Sequence, residues 1–494
     1  IRIAVPPRRM AGGTPLHGTA ESKEQMNIIY NGISLPATSS RPDLEARYFR
    51  NATPDACRAA ADEIHERLVR LGISFEGRRL PVSLRPSLLS RSEVSRTAKD
   101  LMTVRAVMNR MLGALAFDIR SGQACTPLTR FFGHYERWFD LIGGECRTAP
   151  HIMLMRFDAV HARPDGFKVM EPNAACPGGV IHCAFIRDAW RNTDLGKAVL
   201  DGVEITEGAC DSPDGFLRLL RSVSRKRTNS RIALCNYKGV FTNELESLKR
   251  RSERSCAVDA ACAEIIICDI RDVAVSDGTA FACGKPVDVI YNKVDQLMID
   301  PADTAVAGWI EASRIGSCEF LNSMAALYIG EAKSAFAAIH DDEIQKEIGM
   351  SEAERQAVLR RIPRTRMMHG RPSSPTSAEL AWDRHGLVAK ADALTRGSGV
   401  HVGCLKTAED WDNALFGLSQ ANAVIQDVLN VPHREVVACP AASGDVVGSL
   451  ATEYWGTDFF FYGNAFGGVV GRSHSTMVFN VGNGGQEVPT FLVA

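Results

Sequence analysis

Near residue 150 the hydrophobic pattern of this chain changes period, and that change limits the fold more than any other feature. Before it, "DACRAAADEIHERLVRLGI" and "TAKDLMTVRAVMNRMLGALAFDI" carry apolar residues at helical spacing with charges between them. After it come short β-rich runs, "HIMLMRFDAV", "FKVMEPN", "RIALCNY", "AEIIICDI" and "VDVIYNKV", separated by Gly, Asp and Pro turns or by helical stretches. Strands alternating with helices predict an α/β (α+β) chain. Farther on, "LNSMAALYIGEAKSAFAAIHDDEIQKEI" reads as one helix. "GLVAKADALTRGSGVHVG", "AVIQDVL" and "REVVACPAA" read as strands, and the tail from "FFFYGNAFGG" onward is glycine-rich and strand-like.

Composition narrows the function. A length of 494 residues with 45% hydrophobic content allows two or three domains with sizeable cores. A net charge of −1 offers no clustered basic field, so neither nucleic acid nor an anionic membrane is an expected partner. The apolar runs of the first residues are too short for a signal sequence or a membrane span, which gives the expectation of a cytoplasmic protein with a flexible leader over 1–40. The 14 cysteines are scattered singly, without CxxC pairs or zinc-type Cys/His spacing, and read as buried reduced thiols.

One stretch poses a chemical question. In "MRFDAVHARPDGFKVMEPNAACPGG", two expected strands are joined by a Pro and Asp-Gly turn. Alternation places Arg156 and Asp158 on one strand face, and likewise Glu171 and Asn173. If the hairpin pairs in register, two carboxylates and an amide oxygen converge beside a guanidinium, a hard-oxygen set suited to Mg²⁺. A solvated hairpin face with an Arg-carboxylate pair competes equally. A second stretch leads an apolar run into Lys390 and then a loop of Arg396, Gly397, Ser398, Gly399 and Val400, where glycines allow close phosphate approach. An ordinary hairpin turn is the simpler account of it. In the tail, Arg472 follows "AFGGVVG" and suits bidentate anion recognition, with a surface salt bridge as the alternative. No P-loop and no strand followed by GxGxxG occurs.

Together these pieces resemble the ATP-grasp carboxylate–amine ligases. That superfamily carries an R-x-D strand followed, thirteen residues after the Asp, by E-x-N and a Pro-Gly turn. Here the match is Arg156, Asp158, Glu171, Asn173 and then Pro177, Gly178 and Gly179. Because Lys390 follows the E-x-N instead of preceding it, the order resembles the circularly permuted members, which include glutathione synthetase and glutathionylspermidine synthetase. The resemblance, diffuse over residues 150–494, implies metal-binding strands over 150–215, a Rossmann-like substrate lobe over 216–325 and a nucleotide-binding lobe over 326–494. The helical region 41–149 matches nothing in that family.

It also implies roles. Asp158, Glu171 and Asn173 would hold Mg²⁺, and Lys333 and Lys390 would neutralise the phosphates of ATP. Gln426, Asp427 and Val428 would meet the adenine, and Arg156 and Arg472 would face the acyl phosphate or a substrate carboxylate. Two departures stand out: the hinge carries Gln426-Asp427 in place of the family's glutamate, and Leu394 falls where glutathione synthetases place a third acid, leaving Asp158 as the expected third ligand. The implied reaction joins a small carboxylate, an amino acid or peptide, to an amine through an acyl phosphate. A kinase on the same fold and a non-catalytic nucleotide-binding protein are the alternatives. His182 and Cys183 are candidate pocket residues that more often serve packing. A homodimer stays open.

Overall fold

The computed structural model describes residues 42–494, apart from 75–77, 148, 163, 176, 180–181, 207–213, 225–228, 257–262, 372, 396, 420, 438–449, 479–480, 482–483 and 494. The expected leader over 1–40 and Arg396 therefore lie outside the described residues.

The helical region follows its apolar spacing. Helices α1 (Pro42–Asn51) and α2 (Pro54–Arg70) lead to strand β1 (Ser87–Ser90) and the long helix α3 (Arg91–Arg120). Helix α2 starts where Thr53 accepts from the Ala56 N–H and Pro54 fills the first turn, the position where a missing N–H costs nothing. On α3, Val94, Ala98, Leu101, Val104, Met108, Met111 and Leu115 recur at i+3 and i+4 and are buried, the Val, Leu and Met side chains each adding about 1.5–3 kcal/mol by leaving water.

The remaining strands in chain order are β2 (Leu154–His161), β3 (Phe167–Asn173), β4 (Ile205–Thr206), β5 (Arg231–Asn236), β6 (Glu264–Asp269), β7 (Val273–Ser276), β8 (Thr279–Ala282), β9 (Lys285–Pro286), β10 (Val289–Asn292), β11 (Glu319–Leu321), β12 (Thr365–Met367), β13 (Leu387–Ala391), β14 (Val400–Val402), β15 (Ala423–Asp427), β16 (His433–Val437), β17 (Leu450–Tyr462), β18 (Ala465–His474), β19 (Gln486–Val488) and β20 (Thr490–Val493). Helix α4 (Thr242–Cys256) links β5 to β6.

Three sheets position the site. The largest is antiparallel, in the order β19-β18-β17-β2-β3, with β16 also on β17. Strands β11-β10-β5-β6 form a parallel sheet, and the helix between its neighbours β5 and β6 is the crossover that parallel pairing requires. Strands β12-β15-β13-β14 form a second antiparallel sheet. A small sheet, β1-β20-β4, pairs the helical region with the C-terminal strands. The chain is thus of mixed α/β class.

Alternation in the largest sheet separates chemistry from core. Phe157 on β2 and its partner Phe459 on β17 face the main core together with Phe461 and Phe167. Arg156, Asp158 and Asp458 point to the other face.

One expectation is corrected. The stretch beginning "LNSMAALYIGEAK" is not a single helix: a π-helical turn, Ala326–Gly330, ends at Glu331, and α5 (Ser334–His340) and α6 (Asp342–Glu347) follow. The break leaves Glu331 and Lys333 free to turn from helical spacing toward the large sheet. Asp341 ends α5 and caps α6, accepting from the Glu343 and Ile344 N–H groups. Among the described residues no helix is long and apolar enough to cross a membrane, and none of the nine described cysteines forms a disulfide.

Candidate functional site

The hairpin pairs as its alternation requires. Arg156 lies opposite Asn173 and Asp158 opposite Glu171, with a register shift just beyond Asp158. Arg156 Nε and Nη2 donate to the two Asp158 oxygens at 2.7 and 3.1 Å, and Nη2 also reaches Asn173 Oδ1 at 3.1 Å. Asn173 Nδ2 donates to Asp158 Oδ1 at 2.8 Å, and Arg472 Nη2 donates to Asp158 Oδ2. Asp158 is 1% exposed and every one of these donors is a side chain. Against burial, Arg156 and Arg472 hold its carboxyl below the usual range. Asp158, expected to face a cation, here accepts from guanidinium and amide donors and anchors Arg156 and Arg472.

Arg472 is buried, not a surface pair. It donates from Nη2 to Asp458 Oδ1 at 2.8 Å, and its Nε lies 2.7 Å from Asp458 Oδ2, close in distance but off the hydrogen-bond direction. Burial, with the Asp158 charge nearby, pushes Asp458 up to about 6. Glu487, opposite Arg472 on β19, is pushed up to about 7 by burial, and its Oε2 has no hydrogen-bond partner among the described residues.

These groups form one wall of a cleft of about 490 Å³ that Arg156, Glu171, Asn173, Glu331, Lys333, Arg472 and Glu487 all line. Lys333 Nζ donates to the Leu394 carbonyl at 2.6 Å and lies 3.8 Å from Glu171 Oε2. Glu331 accepts the Ala174 and Ala175 N–H groups at 2.6 and 2.8 Å, just after the E-x-N, and burial pushes it up to about 7. A buried acid with an oxygen left unpartnered, as at Glu487, is what a divalent cation would relieve. Glu171, Asn173, Glu331 and Glu487 are the oxygen donors that could hold one.

The far wall belongs to the parallel sheet. Lys293, directly after β10, is 1% exposed; it pairs with Glu244 Oε2 at 2.9 Å and donates to the Pro177 carbonyl at 3.1 Å. Arg156 Nη1 donates to the Gly178 carbonyl at 3.0 Å, so the Pro-Gly-Gly turn spans both walls. His182 lines the cleft, its pKa lowered by burial, whereas Cys183 packs in a core and donates to the Gly179 carbonyl.

A second cavity, about 90 Å³, opens between the two antiparallel sheets. Met170 and Met477 come from the large sheet's side, and Val388, Val400, Val402 and Val428 from the smaller sheet's side. Lys390 lies at its polar end, donating to Gln426 Oε1 at 2.7 Å and to the Met170 carbonyl at 2.8 Å. Burial pushes Lys390 down to about 8. Gln426 in turn donates to Thr365 Oγ1 at 3.0 Å. Gly397, Asp427 and Val428 line this slot, and Glu171 lines both cavities. Ser398 donates its N–H to the Thr395 carbonyl at 3.1 Å and is not among the lining residues. Gly399 has φ +68, and a Cβ there would meet the Ala391 Cβ at 2.7 Å, so this turn needs glycine.

The structure thus gathers Arg156, Glu171, Asn173, Lys333 and Arg472 in one cleft, with Lys390, Gln426 and Asp427 in a slot that adjoins it. Sequence reasoning missed Asp458, Glu487, Glu331, Lys293 and Met477. Only Asp458 carried a signal, as a lone acid before "FFFY" in an apolar strand.

A solved structure of a glutathione synthetase-like effector from Globodera pallida, in its apo form, matches this chain with a TM-score of 0.57. The match covers 89% of this chain and 98% of the effector at 11% identity. The fold is glutathione synthetase-like. At that identity the likeness concerns the fold and not the chemistry. No protein-family model matches the sequence, and no curated protein does.

Proposed function

We propose that this chain is an ATP-dependent ligase of the circularly permuted ATP-grasp type, forming an amide between a small carboxylate, an amino acid or peptide, and an amine. The observation that carries the reading is that Glu171 lines two cavities: an apolar slot between two antiparallel sheets with Lys390 at its polar end, and a larger cleft lined by Lys333, whose Nζ lies 3.8 Å from Glu171.

The slot suits a planar purine. Valine and methionine side chains supply its two walls, and Gln426, Asp427 and the Val428 backbone supply polar groups along one edge. Lys390 and Lys333 then stand where a phosphate chain would run toward the cleft. Glu171 and Asn173, with Glu331 and Glu487 lining the same cleft, would hold Mg²⁺ on the acid-rich side. When bound it would supply positive charge for the transferring phosphoryl group.

The reaction follows from charge. A substrate carboxylate oxygen attacks the γ-phosphorus and the bond to ADP breaks, giving an acyl phosphate. The amine then attacks its carbonyl carbon, phosphate leaves, and the amine loses a proton. Two anions must approach each other in the first step, so the protein's task is fixed positive charge and exclusion of water more than proton transfer. Arg156 and Arg472, held rigid by Asp158 and Asp458, present that charge without reorganisation.

A second reading has one specific support. Leu394 occupies the place of a third acid, which favours a nucleotide-binding protein without turnover. Phosphate release from Mg-ATP, measured with mixed amino acids and peptides with and without added amines, separates the two. Release that depends on both acid and amine supports the ligase. ADP formation on a hydroxyl acceptor without release of free phosphate points to a kinase, and nucleotide binding without any ADP formation supports the second reading.

A further inference from the structure

Away from the cleft, at the edge of the parallel sheet, three chain segments bring sulfur and oxygen together. Cys268 ends near the carboxyl terminus of β6, Asp272 follows in the 3₁₀ turn, and Cys283 sits at the tip of the β8–β9 hairpin. Their ligand atoms all lie within 4.8 Å of one another. A tetrahedral zinc with sulfur at about 2.3 Å sets its ligand atoms roughly 3.5–3.8 Å apart, so the three need only close slightly around an ion. Cys268 is buried, whereas Asp272 and Cys283 are exposed, which provides an entry path.

The backbone holds this arrangement. The Cys283 N–H donates to the Asp272 carbonyl at 3.3 Å, tying the hairpin tip to the 3₁₀ turn. Cys283 has φ +48 and is followed by Gly284 at φ +76, the left-handed pair of a two-residue hairpin turn. Asn, Asp and Gly favour that conformation, so a cysteine there takes a less favoured residue type into the turn. Behind Cys268 lies Cys235, its register partner on β5. Cys268 Sγ donates to the Asp269 carbonyl at 3.1 Å and Cys283 Sγ to the Ile267 carbonyl at 3.8 Å, so both thiols lie against the end of β6. Sequence spacing hides the cluster because its residues are not arranged as a CxxC.

We propose that Cys268, Asp272 and Cys283 form a binding site for a soft divalent cation of the zinc class, with two thiolates, one carboxylate and a fourth position left to water. Binding releases one proton from each thiol to solvent and changes no oxidation state. Two sulfur ligands exclude Mg²⁺ and Ca²⁺ and select Zn²⁺ or Co²⁺. The ion would clip the β7–β9 hairpin to the sheet edge. The site also brackets Asp269, whose Oδ2 accepts the Lys238 N–H at 2.7 Å, so binding would steady the loop that carries Gly239 to Phe241 into the cleft.

The test uses the full chain, reduced and stripped of metal, titrated with Co²⁺ and then Zn²⁺. The expected result is a thiolate-to-cobalt charge-transfer band with intense tetrahedral d–d bands, saturating at one ion per chain and bleached by Zn²⁺. Cys283→Ser and Cys268→Ser should abolish the band. Asp272→Asn should weaken binding by at least the roughly 10–100-fold that loss of a mere outer-shell partner costs. Cys125→Ser, at an exposed cysteine elsewhere, should change nothing. Cys283 and Asp272 are exposed, so circular dichroism should show these variants folded, and zinc should raise the unfolding temperature of the parent but not of Cys283→Ser. A weak octahedral cobalt spectrum, a band that survives Cys283→Ser, or unchanged thermal stability with zinc overturns the proposal. So does a loss of two titratable thiols to a Cys268–Cys283 disulfide that forms in air while zinc is present.

Discussion

Lys333 Nζ stands 3.8 Å from Glu171 Oε2, joining a residue at the break of a helix to one on a distant β-strand. The same lysine donates to the Leu394 carbonyl, so one cation links the acid-rich cleft to the glycine loop. Several consequences of this arrangement can be measured.

Asp158 and Glu171 are opposite one another on paired strands yet should behave differently when neutralised. Asp158→Asn leaves Arg156 and Arg472 buried with less compensation, and breaking such a buried pair costs about 3–5 kcal/mol. Glu171→Gln, half-buried at the cavity junction, should change stability by less than about 1 kcal/mol while lowering acid- and amine-dependent phosphate release roughly a hundredfold or more. Urea unfolding and phosphate release on the two variants check this. Equal stability losses, or full turnover in Glu171→Gln, would contradict the assignment.

The lysine in the slot makes nucleotide binding depend on pH. Burial lowers Lys390 to about 8, so its charge is present below that pH and lost as pH rises through it. Affinity for Mg-ATP should therefore fall above about pH 8. Stability moves the other way. The folded pKa lies below the unfolded value of 10.5, so the unfolded state holds more protons between about 8 and 10.5 and folding gains stability across that window. Lys390→Met should lack the gain and, having lost charged hydrogen bonds of about 1.5–3 kcal/mol, should bind nucleotide more than tenfold more weakly. Fluorescent-nucleotide titrations and denaturation at several pH values read both effects.

The helical region reaches the glycine loop through Asp392. Tyr135 Oη donates to Asp392 Oδ2 at 3.0 Å, His134 Nε2 lies 3.0 Å from the same oxygen, and Ser334 donates through its N–H and hydroxyl at 2.6 and 2.8 Å. Tyr135→Phe removes one of four donors and should cost about 0.5–1.5 kcal/mol. Asp392→Ala strands them all in a buried site and should cost several times as much. Thermal unfolding of the two variants tests the ratio, which would be near one if the network held nothing together.

Gly399 and Gly386 offer a paired comparison on either side of β13. Alanine at Gly399 meets both the left-handed φ of +68 and the Ala391 side chain, and should cost more than the roughly 1–2 kcal/mol of the backbone term alone. Gly386 has open space and no positive φ, so Gly386→Ala should be close to neutral. Both are read by thermal unfolding, and phosphate release should fall only in Gly399→Ala.

Local signals were enough for much of the fold. The run "FKVMEPN" becomes β3 with the same bounds, and the Pro and Asp-Gly turn closes its hairpin, because alternation and turn chemistry are properties of adjacent residues. The expected helix through Glu331 and Lys333 failed for the opposite reason. Its helical spacing is intact in the sequence, but two backbone N–H groups just beyond β3, at Ala174 and Ala175, capture Glu331. The partners of Asp158 divide on the same ground: its alternation was legible, whereas the arrival of Arg472 from β18 was not.

Taken alone, the sequence determined most of the strands and helices, which side chains share a strand face, and that Arg156 and Asp158 would meet Glu171 and Asn173 if their hairpin paired in register. Those follow from backbone geometry over a few residues. Only the tertiary structure decided which charges neutralise one another, that Glu331 and Glu487 join the cleft, that a slot opens between the two antiparallel sheets, and that Cys268 meets Cys283. Such pairings depend on sheet order and on distances between strands far apart in the chain, and on burial, which sets how strongly each charge seeks a partner.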